Sequence, residues 1–360
     1  MKTLHVFLLF IFPLSIYSQD TTVAKLSAIA NYDYVNIYLT STDMSYLAAK
    51  GEIGAPHKYV LSANINPYFS VLGGHISRLS VAMNPNVKIR IRTNGNPGDS
   101  SLPVRTPSFN IGGIAYWRLK ANIDTFQYLS AAFYHHSNGQ DGSALRPDGS
   151  FNTYNGNFST NYLNFKFNFG KNISRSVKIF GVGKDFFKLN YYKGEIFRHQ
   201  SLGLEWHPDF FGHEEALEGK YGTLKFRYDY IWALTVFWDH YRTVYDPIIL
   251  NEKNKPQKNN IYIGTTRDER LRITFNAAYI LNKLEDHNIL DLEKRLILEG
   301  NFHYSPPFTR NSAIFISLGY KGEDEYNIYF QDQYFYFRIG FSSGFLTYST
   351  KLKRENGVIE

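Results

Sequence analysis

The chain has 360 residues, 17 % of them aromatic (28 Tyr and 29 Phe among them) and only 20 % charged, which excludes a disordered chain. It contains no Cys, which rules out disulfides, thiolate catalysis, Cys-ligated zinc and lipid attachment through an N-terminal Cys. The net charge of +7 is scattered rather than gathered into a basic stripe, so no nucleic-acid partner is expected.

Residues 1–18 read as a secretory signal. Lys2 supplies the positive start, Leu4 to Ile16 the apolar run with Pro13 near its end, and Ser15 and Ser18 the small residues before Gln19. The run is too short for a membrane anchor, and no later apolar run has the length of a membrane helix. Residues 19–56 are then assigned to an N-terminal periplasmic extension before the first clear strand.

From residue 57 the chain alternates with period two, the mark of strands with unlike faces. Tyr59, Leu61, Ala63 and Ile65 alternate with Lys58, Ser62 and Asn64, and Val87, Ile89 and Ile91 with Lys88, Arg90 and Arg92. Leu271, Ile273, Phe275 and Ala277 alternate with Arg270, Arg272, Thr274 and Asn276, and Phe335, Phe337, Ile339 and Phe341 with Tyr336, Arg338 and Gly340. A soluble sandwich with its apolar faces turned inward gives the same pattern. The secretory signal, Tyr and Phe at strand ends as interfacial girdles, and polar stretches at 93–101, 141–157 and 251–260 as long outer loops favour a membrane barrel. The expected fold is an all-β transmembrane antiparallel β-barrel of about 12 strands (12–14) over residues 57–344, in a Gram-negative outer membrane. Residues 345–360 are left as a C-terminal tail.

The most informative stretch is Phe133-Tyr134-His135-His136-Ser137-Asn138-Gly139. Its strand carries aromatics on both faces. The next strand is cleaner: Asn161, Leu163, Phe165, Phe167 and Phe169 share one face, opposite Thr160, Tyr162, Asn164, Lys166 and Asn168, so the first face should touch lipid. Pro147-Asp148-Gly149 is a turn signal midway between the two strands. A hairpin centred on residue 148 sets His135 opposite Asn161 and Ser137 opposite Ser159, within side-chain reach on one face. Ser needs a neighbouring base to act as a nucleophile, and the base needs a third group to hold its tautomer; Asn serves without placing a carboxylate on an apolar wall. The plain alternative is a polar strand top entering a loop.

The motif H-x-S-N-G at His135 to Gly139 resembles the active-site motif of the outer-membrane phospholipase A family. Ser100-Ser101-Leu102-Pro103-Val104-Arg105-Thr106 resembles that family's Ser-rich loop, and Ser159-Thr160-Asn161-Tyr162-Leu163 its Asn-bearing strand. Gly319-Tyr320 followed by Tyr326-Asn327 resembles its penultimate hairpin. The connection from Gly139 to Asn161 is longer than the family's, and Gln140 stands where Arg is usual. The resemblance implies a twelve-stranded barrel with its active site on the lipid-facing wall, calcium-dependent hydrolysis of phospholipid acyl esters and activation as a homodimer. It further implies Ser137 as nucleophile, His135 as base, Asn161 as its orienter and Gly139 as an oxyanion donor alongside a calcium-bound water. The calcium ligands it implies are the carbonyls of Ser100 (or Ser101) and Gln140 and the side-chain oxygen of Asn157, with Asp141 and Asp148 as substitutes. Its rivals are an inactive structural barrel of the same family, against which the intact His-Ser-Asn set argues, and a channel or transporter, which a long plug or constriction loop would favour; none is evident in the sequence. His207, Asp209, His213, Glu214 and Glu215 could form a metal cluster but read better as a solvated loop rim, and Lys253, Lys255 and Lys258 as a solvated loop.

Overall fold

Strands that are apolar on one side and polar on the other must bury one side, and closing the sheet on itself does so without leaving edges. That is what the computed structural model of the chain shows. Residues 1–33, 35–36, 57, 74–76, 93–106, 122–124, 140–141, 153–155, 181–187, 212–216, 218, 251–255, 285–286, 310, 324–332, 345–346, 352–353, 356–357 and 360 lie outside the described residues, and with them the expected signal segment and much of the 93–101 loop. The strands are β1 (Ser45–Ile53), β2 (Tyr59–Ile65), β3 (Phe69–Leu72), β4 (Leu79–Met83), β5 (Asn86–Arg92), β6 (Ser108–Ala121) and β7 (Thr125–Ser137). There follow β8 (Ser159–Phe180), β9 (Leu189–Trp206), β10 (Leu224–Leu250), β11 (Pro256–Ile280), β12 (Leu296–Tyr304), β13 (Ser312–Lys321) and β14 (Tyr334–Ser343).

All fourteen join one antiparallel sheet; β1 pairs with β14 and β6 with β7, which closes the ring. β2 and β3 are two halves of one stave, and β4 and β5 two halves of the next, because β2 pairs with β5 while β3 pairs with β4. Fourteen strands less these two mergers give twelve staves. No helix among the described residues is long and apolar enough to cross a membrane.

The polarity of the barrel is the reverse of a soluble protein's. Phe335 (74 % exposed), Phe341, Leu318, Phe165, Phe133 and Leu129 stand on the outside. Arg272 (1 % exposed), Lys225, Arg338, Arg90 and Glu52 are buried within. Buried charges need partners, and these have them. Glu52 meets Arg90 at 3.2 Å and Lys321 at 3.3 Å, and accepts from Tyr334 Oη at 2.9 Å. Glu205 meets Arg227 at 2.6 Å and Lys225 at 3.3 Å; Lys166 meets Asp229 at 2.6 Å. An internal cavity of about 290 Å³ is lined by polar groups such as Asn66, Asn84, Asn168 and Lys166.

Several expectations shift. The barrel starts at β1, inside the stretch assigned to an extension up to residue 56. Lys50 and Gly51 both have φ +57° and the ladder with β14 changes register between Ala49 and Ile53, so the alternation is broken where the first stave lies. Tyr59 points inward against Arg90 rather than outward with Leu61, because the register shifts between Tyr59 and Leu61. Residues 256–260 are not part of an outer loop. They pair with β10 at the short-turn end, in a hairpin whose strands of 27 and 25 residues outrun the nine-residue β12. Within the expected tail, β15 (Thr347–Lys351) pairs with β11 along that same hairpin.

The lumen also holds an internal segment that the sequence did not reveal. Residues 34 and 37–40 are helical, and Tyr34, Ile37 and Tyr38 pack against Tyr116, Phe126, Tyr128 and Phe197 near the short-turn end. Tyr38 stacks on Tyr116 with ring centroids 4.2 Å apart, and Tyr34 Oη donates to the Gln127 carbonyl at 3.2 Å.

Candidate active site

β7 settles its own ambiguity through burial. Phe126, Tyr128, Ala132, Tyr134 and His136 are buried in the lumen, while Leu129, Ala131 and Phe133 are exposed on the wall. His135 and Ser137 continue the outward row at the long-loop end of the stave. The β7–β8 register pairs His135 with Asn161 and Ser137 with Ser159, as expected from the turn at residue 148. The same count returns at the loop's tip, where Leu145 bridges Phe151 and Arg146 N–H donates to the Ser150 carbonyl at 2.8 Å; between, Gly142 and Gly156 form a parallel bridge that leaves it.

His135 Nδ1 lies 2.9 Å from Asn161 Oδ1. The amide orientation follows from its other end, where Asn161 Nδ2 donates to the Phe211 carbonyl at 2.7 Å. A carbonyl only accepts, so the NH₂ group faces Phe211 and the oxygen faces His135. His135 therefore donates from Nδ1, and Nε2 is left as the basic nitrogen. Ser137 is two residues along on the same face, and among the described residues its Oγ has no hydrogen-bond partner. The imidazole and the amide are thus joined, and no Ser137–His135 bond forms among the described residues.

The backbone turns away just past Ser137. Asn138 N–H donates to the Phe158 carbonyl at 3.1 Å, Phe158 N–H donates to Asn138 Oδ1 at 3.0 Å, and Asn138 Nδ2 donates to the Gly156 carbonyl at 2.8 Å. Asn138 is buried and seals the end of the ladder. Gly139 then takes φ +64°, where a Cβ would sit 2.9 Å from a ring carbon of Phe109. No Gly139 N–H bond forms among the described residues.

Asn157 N–H donates to the Gly142 carbonyl at 2.8 Å, and its Oδ1 is buried with no hydrogen-bond partner among the described residues. An orphaned buried oxygen is costly, and an oxygen donor is what calcium takes, so this residue fits the role the resemblance implies. Ser100, Ser101, Gln140 and Asp141 lie outside the described residues. Asp148 is engaged locally: Ser150 donates to Oδ1 from both its Oγ (2.6 Å) and its N–H (2.9 Å), which holds the carboxyl below its ordinary pKa.

His207 is not on a solvated rim, as expected, but buried in the lumen. Its Nδ1 lies 2.9 Å from Thr160 Oγ1 and its Nε2 2.9 Å from Glu205. Burial there is possible because Glu205 and Thr160 satisfy both ring nitrogens. Asp209 is exposed, and His213, Glu214 and Glu215 lie outside the described residues; among those described, no cluster of three or more His, Asp or Glu is set to hold a metal.

Two contributions escaped the sequence reading: the Asn138 seal and the turn at Asp209–Phe211 that reaches Asn161. Pro208 beside two phenylalanines was the signal for a turn with an apolar seat. Across the rim, Ala144, Phe151 and Phe158 of one loop pack with Leu217 and Tyr221 of another. No family model matches the chain, and no curated protein matches it either.

Proposed function

We propose that the protein is an outer-membrane hydrolase of phospholipid acyl esters, working through Ser137, His135 and Asn161 on its outer wall. The observation that carries this is the 2.9 Å His135–Asn161 bond on an outward row that also bears Ser137, Leu129 and Phe133. Three polar groups at the top of an apolar wall are costly there without a use. An apolar exterior around a charged, paired interior supports a membrane setting. The internal segment at the short-turn end is a plug-like feature and favours the second reading, a channel or transporter, over an inactive structural barrel.

In this reading Ser137 Oγ attacks the acyl carbonyl carbon while His135 Nε2 takes its proton. Asn161 holds the imidazolium through Nδ1–H. The carbonyl oxygen becomes an oxyanion and accepts from Gly139 N–H; donors of this kind are worth about 3–4 kcal/mol in the transition state. Collapse breaks the ester C–O bond, and the leaving lysolipid oxygen takes the proton from Nε2. Water, deprotonated by the same imidazole, then releases the fatty acid from Ser137. Asn157 Oδ1, with Ser100 and Gln140, would hold calcium, which when bound adds positive charge near the oxyanion. A second copy meeting this wall would form the active homodimer and shelter the acyl chains. The test is release of fatty acid from mixed micelles by the wild-type protein and by Ser137→Ala, with and without calcium. Activity in the wild type alone supports the reading, and a folded wild type that releases none overturns it.

A further inference from the structure

The chain leaves β9 at Trp206 and crosses the barrel rim within five residues. His207 is inside, held by Thr160 and Glu205. Phe210 and Phe211 are outside, and the Phe211 carbonyl accepts from Asn161. Thr160 and Asn161 are consecutive residues of β8 with opposite faces, so the top of one stave grips both ends of the turn. Phe211 N–H donates to the Pro208 carbonyl at 3.0 Å, which closes the turn. The Phe211 ring then seats edge-on against Phe133, with centroids 5.5 Å apart, and Phe210 rests on Trp206 at 5.8 Å. Phe133 is two residues before His135 on the same outward row.

We infer that Phe211 is a positioning residue for the base. Its ring on Phe133 fixes its carbonyl, the carbonyl fixes the Asn161 amide, and the amide fixes the tautomer and direction of His135. This rests on the hydrolase reading above and extends it. It also gives a second reason for Asn at 161: the position must donate to a carbonyl and accept from an imidazole at once, and a neutral amide does both.

The test uses full-length protein in detergent micelles, with phosphatidylcholine as substrate and a fluorophosphonate as a probe of Ser137 nucleophilicity. Phe211→Ala and Phe133→Ala should each lower kcat and the labelling rate about tenfold, the scale of one well-made hydrogen bond, with KM within about twofold. Because they break the same contact, the double variant should be no slower than the single ones. Phe211→Tyr keeps the ring and should restore both rates to within about twofold. Heat-modifiable mobility on gels shows that each barrel is folded, and Phe133→Ala reaches the contact from the wall if Phe211→Ala is not. Wild-type labelling and kcat in folded Phe211→Ala or Phe133→Ala would overturn the inference while leaving the hydrolase reading intact. A loss confined to KM would overturn it too, making the turn a substrate contact. A folded wild type that neither labels at Ser137 nor releases fatty acid would remove both.

Discussion

Replacing Asn161 with Ala removes two bonds at once, the acceptor of His135 Nδ1–H at 2.9 Å and the donor to Phe211 at 2.7 Å. With a neutral imidazole the first bond is worth about 0.5–1.5 kcal/mol; in the proposed mechanism, where the imidazole takes the Ser137 proton, it becomes charge-assisted and worth about 1.5–3 kcal/mol. Only the difference, about 1–2 kcal/mol, acts on the chemical step, and that is roughly 5- to 30-fold in rate. Loss of the fixed tautomer adds to this, so kcat should fall by about 10- to 100-fold. KM should stay near its wild-type value, because Asn161 is not assigned a substrate contact. Stability should change by no more than about 1 kcal/mol, since the lost bonds are at the partly exposed end of the stave. Initial rates of fatty acid release over a range of micellar phospholipid concentrations separate kcat from KM. Wild-type kcat in the folded variant would refute the orienting role of Asn161.

Gly139→Ala must either hold φ +64° at a cost of about 1–2 kcal/mol or rotate its N–H out of place. Since the Phe109 ring also stands in the way, rotation is expected, with a fall in kcat of at least about tenfold in a barrel that still folds. Glu205→Ala removes the buried carboxylate that meets Arg227 at 2.6 Å and Lys225 at 3.3 Å, and leaves Lys225 its longer 4.0 Å contact to Glu323. It should destabilise the barrel by about 3–5 kcal/mol, read as loss of the folded gel band at lower temperature or urea. Asn157→Ala should raise the calcium concentration needed for half-maximal activity and leave activity at saturating calcium closer to wild type; an unchanged calcium dependence would remove Asn157 from the ligand set. Chemical cross-linking should capture more dimer with calcium and substrate than with chelator, and undiminished hydrolysis by a strictly monomeric protein in excess chelator would exclude the calcium-bound dimer.

Much of the outward His135–Ser137–Asn161 row is readable because the 138–158 loop, for all its length, returns its two strands in the hairpin count. Counted from residue 148, His135 meets Asn161 at the top of the wall just as Leu145 meets Phe151 at the tip. An extra residue on one side would have turned Ser137 or Asn161 into the lumen. Strands such as that of Ile273 and Phe275 were equally legible, because their alternation survives burial unchanged. Where the backbone leaves regular β geometry the pattern fails. The left-handed pair Lys50–Gly51 hid β1, and the irregularity at Tyr59 put a tyrosine on the wrong side. Contacts across the rim carry no period at all. His207 reads as solvated because its partners, Glu205 two residues back and Thr160 on the adjacent β8, meet it only where the chain turns over the rim past the last β8–β9 pair. Phe211 could not be tied to Asn161, fifty residues away, for the same reason.

The most direct test of the account is fatty acid release by purified, folded Ser137→Ala beside the wild type, at saturating calcium in phospholipid–detergent micelles. Hydrolysis by the wild type is expected, with a loss of at least about a thousandfold in the variant and an unchanged folded band for both. Hydrolysis by Ser137→Ala at the wild-type rate would place the nucleophile elsewhere and contradict the central claim.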